Sequence, residues 1–305
     1  MPGISKFGET AELERVRVSI VGCGGAGCNM LHEIPPIPGY EPIALNDEPH
    51  PSMIGIGRRI FVSKEGLKGI AETEKRGRRE LYTDVEKTIE REVEGSDIVF
   101  IISGLGGYTG TWAAPIVASV AHHCKALAVS LVSLPFTVEG IARRALADEG
   151  LSILRKCSDV AITFSNDELL KLAPNIPLLR AFQVMGRLVG KPIANLASVL
   201  TRGDIPHLKS VLRRIDEMRV GMGEGTGDHR NFVAVEDTFT SPWFDFDLSG
   251  VKEVVLFLSS QYIDPKDVDE IIHDVSLRTP NANITWGSME EDIGEKTRVS
   301  VLLGV

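Results

Sequence analysis

The chain has 305 residues, 43% of them hydrophobic and 25% charged, with a formal net charge of −9. That length suits two domains or one large one, and the acidic balance excludes an electrostatic footprint for nucleic acid and a polybasic membrane surface. No apolar run reaches the roughly 18–20 residues of a membrane span, the opening Met-Pro-Gly-Ile-Ser-Lys is not a signal peptide, and Cys23, Cys28, Cys124 and Cys157 are too few for a disulfide framework, so a cytosolic, reduced protein is expected.

Residues 1–15 are polar and are expected to be loosely held. Val16-Arg-Val-Ser-Ile-Val21 alternates into a short strand, followed by Gly22-Cys-Gly-Gly-Ala-Gly-Cys-Asn29 and a helical start at Met30. Gly22, Gly24 and Gly27 match G-x-G-x-x-G, which alone suggests a dinucleotide fold. Cys23 and Cys28 flank this loop, and with no His or Cys pair to complete a metal site they are read as lining a tight turn. Tyr40-Glu-Pro-Ile-Ala-Leu45 is the next strand. It ends in Asn46-Asp47-Glu48, groups typical of sugar- or phosphate-proximal positions in open α/β sheets and also of ordinary turns. Residues 63–96 are charged and helix-rich, which reads as a solvated helix face.

Asp97-Ile-Val-Phe-Ile-Ile-Ser103 is a buried strand that runs into Gly104-Leu-Gly-Gly-Tyr-Thr-Gly-Thr-Trp-Ala-Ala-Pro115 and then a helix. Strand, glycine loop and helix turn backbone N–H groups toward an anion at a helix N-terminus; the alternative is a tight structural turn. Further strands fall at Ala126–Val132 and Val160–Phe164, with loops Pro135-Phe-Thr-Val-Glu-Gly140 and Ser165-Asn166-Asp167 behind them. The alternation through about residue 170 predicts a doubly wound parallel sheet with ligand loops at the strands' C-terminal ends. A long helix from Leu178 to Leu200 is expected to bend or break at Gly186, Gly190 and Pro192. The remainder, with a helix after Arg219–Gly227, a strand at Val251–Ser259, a helix at Pro265–Leu277 and strands at Asn283–Gly287 and Arg298–Leu303, reads as a smaller α+β domain.

Several of these motifs, in this order, resemble the tubulin/FtsZ superfamily, and FtsZ more than tubulin. The segment from Gly104 resembles its signature G-G-G-T-G-T-G with Ala-Ala-Pro; Gly22 to Asn29 resembles its first phosphate loop. Pro135 to Gly140 with Arg143, Ser165 to Leu170, Met222 to Gly227, Ser241-Pro242 and Asp247 to Val251 resemble later motifs. The resemblance spans about residues 16–305. It implies a GTP-binding domain with a long core helix over residues 14–200, a C-terminal domain over 203–305, and head-to-tail assembly with GTP hydrolysed between subunits. Partners would be further copies or another FtsZ-like chain. The ligand would be GTP or GDP, with magnesium allowed as counter-cation.

Residue by residue, the resemblance places Gly24, Gly25, Ala26, Gly27 and Asn29 at the phosphates and ribose, with Asn46 beside them. Gly106, Gly107, Thr109, Gly110 and Thr111 form the second loop, in which Thr109 and Gly110 face the β- and γ-phosphates. Glu139 and Arg143 hold the ribose, Asn166 reads the base edge, and Phe182 stacks on it. Arg143 is equally readable as a surface ion-pair partner and Phe182 as core. Neither glycine loop is followed by G-K-[ST], and two glycine loops at helix N-termini can bind the phosphates without any lysine.

Four departures stand out. Tyr108 and Trp112 replace glycines and are expected to intrude on the phosphate region at strained φ. The third phosphate loop aligns best with Gly69-Ile-Ala-Glu-Thr-Glu74, which would bring carboxylates to the γ-phosphate. The base-reading pair of the core helix falls on Gly186 and Arg187. The catalytic loop becomes Arg202-Gly-Asp-Ile-Pro-His207, in which Asp204 keeps one carboxylate and His207 replaces the other. Asp204 is also readable as a helix N-cap. Two functions follow: a divergent GTPase with weak turnover, or a pseudo-GTPase scaffold or regulator of a true FtsZ. A Rossmann oxidoreductase would leave the second glycine signature unexplained. The sequence ends at Val305 without the adaptor-docking tail of dividing members, so no direct membrane anchor is expected.

Overall fold

The computed structural model describes residues 3–7, 14–35, 37, 40, 42–75, 83–172, 178–212, 215, 217–240, 244 and 246–304. In chain order the strands and helices are β1 (Ile4–Lys6), β2 (Val18–Cys23), α1 (Gly24–Leu31), β3 (Ile43–Asn46), β4 (Arg58–Phe61), α2 (Leu67–Lys75), α3 (Asp84–Val93), β5 (Ile98–Gly104), α4 (Tyr108–His123), β6 (Leu127–Leu134), α5 (Ile141–Cys157), β7 (Val160–Ser165), α6 (Asn166–Leu172) and α7 (Leu178–Val199). They continue with α8 (Ile205–Leu212), β8 (Met218–Thr226), α9 (Arg230–Phe239), β9 (Glu253–Ser260), α10 (Pro265–Arg278), β10 (Asn283–Glu290) and β11 (Lys296–Gly304). Contacts divide the chain into two compact units, Val16–Ala194 and Met1–Arg15 with Asn195–Val305.

In the first unit the strands run β7-β6-β5-β2-β3-β4, and every adjacent pair is parallel. Counted within the unit this is the doubly wound order, in which the winding direction reverses between its first strand, β2, and its fourth, β5. Strands of such a sheet are covered on both faces, which explains the unbroken apolar run of β5, buried at every position from Ile98 to Ser103. On one side Trp112, Ile116, Val117 and Val120 of α4 pack with Leu67 and Ala71 of α2, Ile89 and Val93 of α3, and Leu151 and Leu154 of α5. Helix α3 starts at a capping box, with the Glu86 N–H on the Thr83 hydroxyl and the Glu86 carboxylate on the Thr83 N–H.

Helix α7 runs unbroken from Leu178 to Val199, where the sequence predicts a bend or a break. Its glycines serve packing instead. A Cβ on Gly186 would lie 2.8 Å from Glu33 Cβ, and one on Gly190 would lie 3.0 Å from Ile34 Cα, so the helix closes on the segment after α1. The Pro192 side chain lies outside the described residues, as do Ser241 and Pro242.

In the second unit β1, β10 and β9 are mutually parallel and β11 runs antiparallel between β9 and β8. For residues 3–7 the expectation of a loosely held segment over 1–15 is corrected here, while residues 1–2 and 8–13 lie outside the described residues. Strand β1 pairs in register with β10, Phe7 N–H donates to the Trp286 carbonyl (2.8 Å), and the Phe7 ring is buried in a stack on Phe257. Helix α9 crosses β8 at backbone distance. Gly221, Gly223 and Gly225 share one face of β8 by the two-residue period of a strand, and a Cβ on any of them would collide with the backbone of Arg230, Ala234 or Thr238. Gly223→Ala is therefore expected to destabilise the protein by about 1–3 kcal/mol, the usual cost of overpacking. A fall in the urea midpoint at unchanged slope checks this, and an unchanged midpoint refutes it.

Candidate nucleotide cavity

Helix α1 begins directly at the C-terminal end of β2, and α4 is separated from the end of β5 by three residues; these are the two strands at which the winding reverses. Neither start has a side-chain cap: Cys23 and Gly107 occupy the N-cap positions. The first N–H groups of each helix are thus left to an outside acceptor. The two starts touch. Gly24 has φ +70°, and a Cβ there would lie 2.8 Å from Gly110 N. Gly110 in turn leaves room for the carbonyls of Gly104 and Cys23 and for Ser103 Oγ, which donates to the Cys23 carbonyl (3.3 Å).

A cavity of about 310 Å³ opens over these starts, within the range of small-ligand sites. It brings together Gly24, Gly25, Ala26, Asn46, Gly107, Thr109, Gly110, Glu139, Arg143 and Asn166 from the sequence-derived set. Four others do not line it. Gly27 is buried, and a Cβ there would strike the Ile102 carbonyl, so it seats α1 on β5. Asn29 is exposed on α1. Gly106, at φ +96°, passes close to Pro135 and the Arg143 carbonyl. Thr111 is fully buried, and its hydroxyl accepts from Gly106 N–H (2.9 Å), bracing the loop from behind. The Phe182 side chain lies outside the described residues.

The lining also includes Asp47, Glu48, His50, Lys64, Tyr108, Ser133 and Pro135. Lys64 brings a lysine to the lining from outside the two glycine loops. It follows β4, a strand with Ile60 as its one fully buried residue, which apolar patterning does not reveal. Ser52 N–H donates to His50 Nδ1 (3.2 Å), and His50 Nε2 would lie 3.5 Å from a Cβ on Gly25.

Two further expectations are corrected. Tyr108 does face the cavity, but Trp112 is fully buried in the core beneath it, with Lys68 Nζ 5.0 Å from its ring centre. Both residues are helical, one turn apart, and among the described residues Lys125 is the one non-glycine at positive φ, so the expected strain does not arise. Gly69–Glu74 belongs to α2, and none of residues 69–73 lines the cavity; the Glu74 side chain lies outside the described residues.

The electrostatics are those of a site with internal pairing. Burial pushes the Asp47 carboxyl up, but hydrogen bonds from Thr109 Oγ1 and Lys64 outweigh it and leave it below the ordinary value. Glu139 accepts from the Phe136 N–H (2.8 Å) and pairs with Arg143, in the first turn of α5. Asn166 is 4% exposed, and its Oδ1 has no hydrogen-bond partner. Such a group normally finds one, and here it faces a cavity. Burial pushes the Cys28 thiol up to about 11 and Cys23 higher still, so both are inert linings of the loop. Gly186 and Arg187 do not line the cavity; Arg187 pairs with Glu33 (3.0 Å).

In the second unit Asp204 is 3% exposed, and its carboxylate accepts from the Thr201 N–H (2.8 Å) and hydroxyl (2.7 Å) in a capping box. His207 Nε2 lies 3.3 Å from Ser5 Oγ, and its ring meets the Phe7 ring edge-on.

The cavity is chemically an anion cradle with a polar pocket beside it: backbone N–H groups and a threonine for phosphate-like oxygens, and a buried amide for a hydrogen-bonding ring or sugar. The family model described as Tubulin/FtsZ family, GTPase domain, matches residues 41–174. The chain is 33% identical to Cell division protein FtsZ 1 of Pyrococcus horikoshii over 300 residues, which are 95% of this chain and 81% of the relative. It is 31% identical to Cell division protein FtsZ of Methanothermobacter thermautotrophicus, over 93% of this chain and 77% of the relative. The solved structure of an empty FtsZ dimer from M. jannaschii superposes with a TM-score of 0.79 at 27% identity, covering 95% of this chain and 88% of that one. By identity and coverage together, the chain belongs to the tubulin/FtsZ family as an FtsZ-like protein.

Proposed function

We propose that this chain is a cytoplasmic protein that binds GTP and GDP in the cavity over α1 and α4 and assembles head to tail with further copies, turning GTP over slowly. In this reading residues 14–200 are the nucleotide-binding domain and residues 203–305 carry the loop offered to the next subunit. The observation that carries it is the pair of uncapped glycine helix starts in backbone contact, next to an orphaned Asn166 amide. The phosphates would lie against Gly24, Gly25, Ala26, Gly107, Thr109 and Gly110, with magnesium as counter-cation. Glu139 and Arg143 would face the ribose, and Asn166 the base. Gly27, Gly106 and Thr111 would hold the two loops from behind. Bound nucleotide is the direct test: denatured, freshly purified protein should release GDP or GTP on chromatography. A nicotinamide dinucleotide, or no nucleotide together with no binding on titration, overturns the reading.

Asn166 gives a sharper check. Among the described residues its Oδ1 has no hydrogen-bond partner, so Asn166→Ala should change unfolding stability by less than about 1 kcal/mol. Guanine nucleotide affinity should fall by about tenfold, the worth of one hydrogen bond in a desolvated site. Calorimetric titration beside a denaturant melt separates the two effects.

Slow turnover is supported by Asp204, whose carboxylate is already bound within its own turn and is nearly sealed from solvent. A positioned acid or base contributes about 10²–10⁴ in rate, and one committed to a cap is not free to act. The same observation favours the second reading, a pseudo-GTPase scaffold or regulator of a true FtsZ. Phosphate release at saturating GTP and high protein concentration should be slow. Asp204→Asn should lower the melting temperature while changing that rate by no more than a few fold. Rapid release that Asp204→Asn abolishes would show the loop to be catalytic.

A further inference from the structure

The cavity is shaped for an anion, yet its cations are already matched. Its charged lining is Asp47, Glu48, His50, Lys64, Glu139 and Arg143. Arg143 is held by Glu139. Lys64 Nζ lies 3.2 Å from Asp47 Oδ2, while Asp47 Oδ1 accepts from the hydroxyl of Thr109, the second residue of α4. A carboxylate of the protein therefore sits beside the positive end of a 16-residue helix, where a phosphate would be stabilised. Among the described residues three carboxylates share the lining with one lysine and one arginine, so an incoming polyanion must compete with the protein's own carboxylates for both cations. The unpartnered Asn166 Oδ1, facing the same cavity, independently indicates a ligand there.

We propose that Asp47 is a resident anion in the phosphate subsite, and that a nucleoside triphosphate binds by taking Thr109 and Lys64 from it, with Lys64 becoming a phosphate ligand. The proposal rests on the nucleotide reading and adds a specificity device to it. The more negative the phosphate chain, the better it competes for Lys64, so the Asp47–Lys64 pair sets the preference for triphosphate over diphosphate. The Lys64 side chain is 58% exposed, consistent with a group able to swing between partners.

The test is calorimetric titration of GTPγS and of GDP into wild type, Asp47→Asn and Lys64→Met, in EDTA so that no divalent cation masks the effect of the carboxylate. Asn keeps the shape of Asp47 and an oxygen for Thr109, and removes the charge. Asp47→Asn should bind GTPγS about tenfold more tightly and GDP with a smaller gain; Lys64→Met should bind GTPγS about tenfold more weakly and GDP with a smaller loss. A wild type too weak to measure beside an Asp47→Asn that binds also supports the proposal. If wild type binds and Asp47→Asn is equal or weaker, or gains equally for both nucleotides, the resident anion is wrong and the nucleotide site stands. Lys64 is on the surface, so Lys64→Met gives an answer even if Asp47→Asn fails to fold; undiminished GTPγS affinity in it overturns the proposal. No binding to any of the three proteins overturns the nucleotide reading and this inference with it.

Discussion

Two helix starts packed so closely that a Cβ on Gly24 would lie 2.8 Å from Gly110 N is the arrangement on which the first unit turns. Each start carries about half a positive charge. Placed side by side and uncapped, the two ends repel unless something negative lies near both. The parallel sheet forces the arrangement, because the chain winds outward in opposite directions from β2 and β5. Their following helices therefore start at neighbouring points on one edge. The glycines are what let the starts close on each other, and the cavity over them is the geometric consequence.

Around this contact the motif residues divide their labour. Gly24, Gly25 and Gly110 present backbone to the cavity. Gly27, Gly106 and Thr111 lie one layer behind, where Gly27 seats α1 on the Ile102 carbonyl and the Thr111 hydroxyl ties down the Gly106 N–H. A ligand-binding loop of bare backbone has few side chains with which to define its own shape, so its rigidity is supplied from below. The buried Trp112 belongs to that foundation: it fills the space between α4 and α2 and gives Tyr108 an edge-on ring to rest against at 6.5 Å between centroids.

Much of the first unit was legible because buried parallel strands are apolar along their whole length and because glycine before a helix has few other uses. The runs at 98–103, 127–132 and 160–164 announced themselves in this way. What escaped reading has a shared cause, which is that the evidence lay in tertiary contacts. Strand β4 buries Ile60 and leaves charged neighbours outside, so neither it nor Lys64 beyond it carried a signal. Trp112 looked like an intrusion because an alignment register shows position but not which side of a helix faces inward. The glycines of α7 looked like breaks, yet they are the points at which Glu33 and Ile34 come against the helix. Asp204 had been readable both as a catalytic carboxylate and as a cap; its bonds to Thr201 supply the capping half of that choice.

Strand β1 has a consequence for the order in which the molecule is made. Gly3 N–H bonds to Asn283 Oδ1 across 280 residues of chain, and Ile4 to Lys6 pair with Ile284 to Trp286. During synthesis β1 thus waits for β10, which follows it by 280 residues. The parallel sheet of residues 16–194 takes every strand from its own stretch, so it can condense while the rest is still being translated. The second sheet closes only when its C-terminal strands arrive, bearing the loop-closure entropy of nearly the whole chain. Until then the apolar ring of Phe7 lacks Phe257, its partner in the finished fold, and β1 remains an unpaired edge awaiting completion.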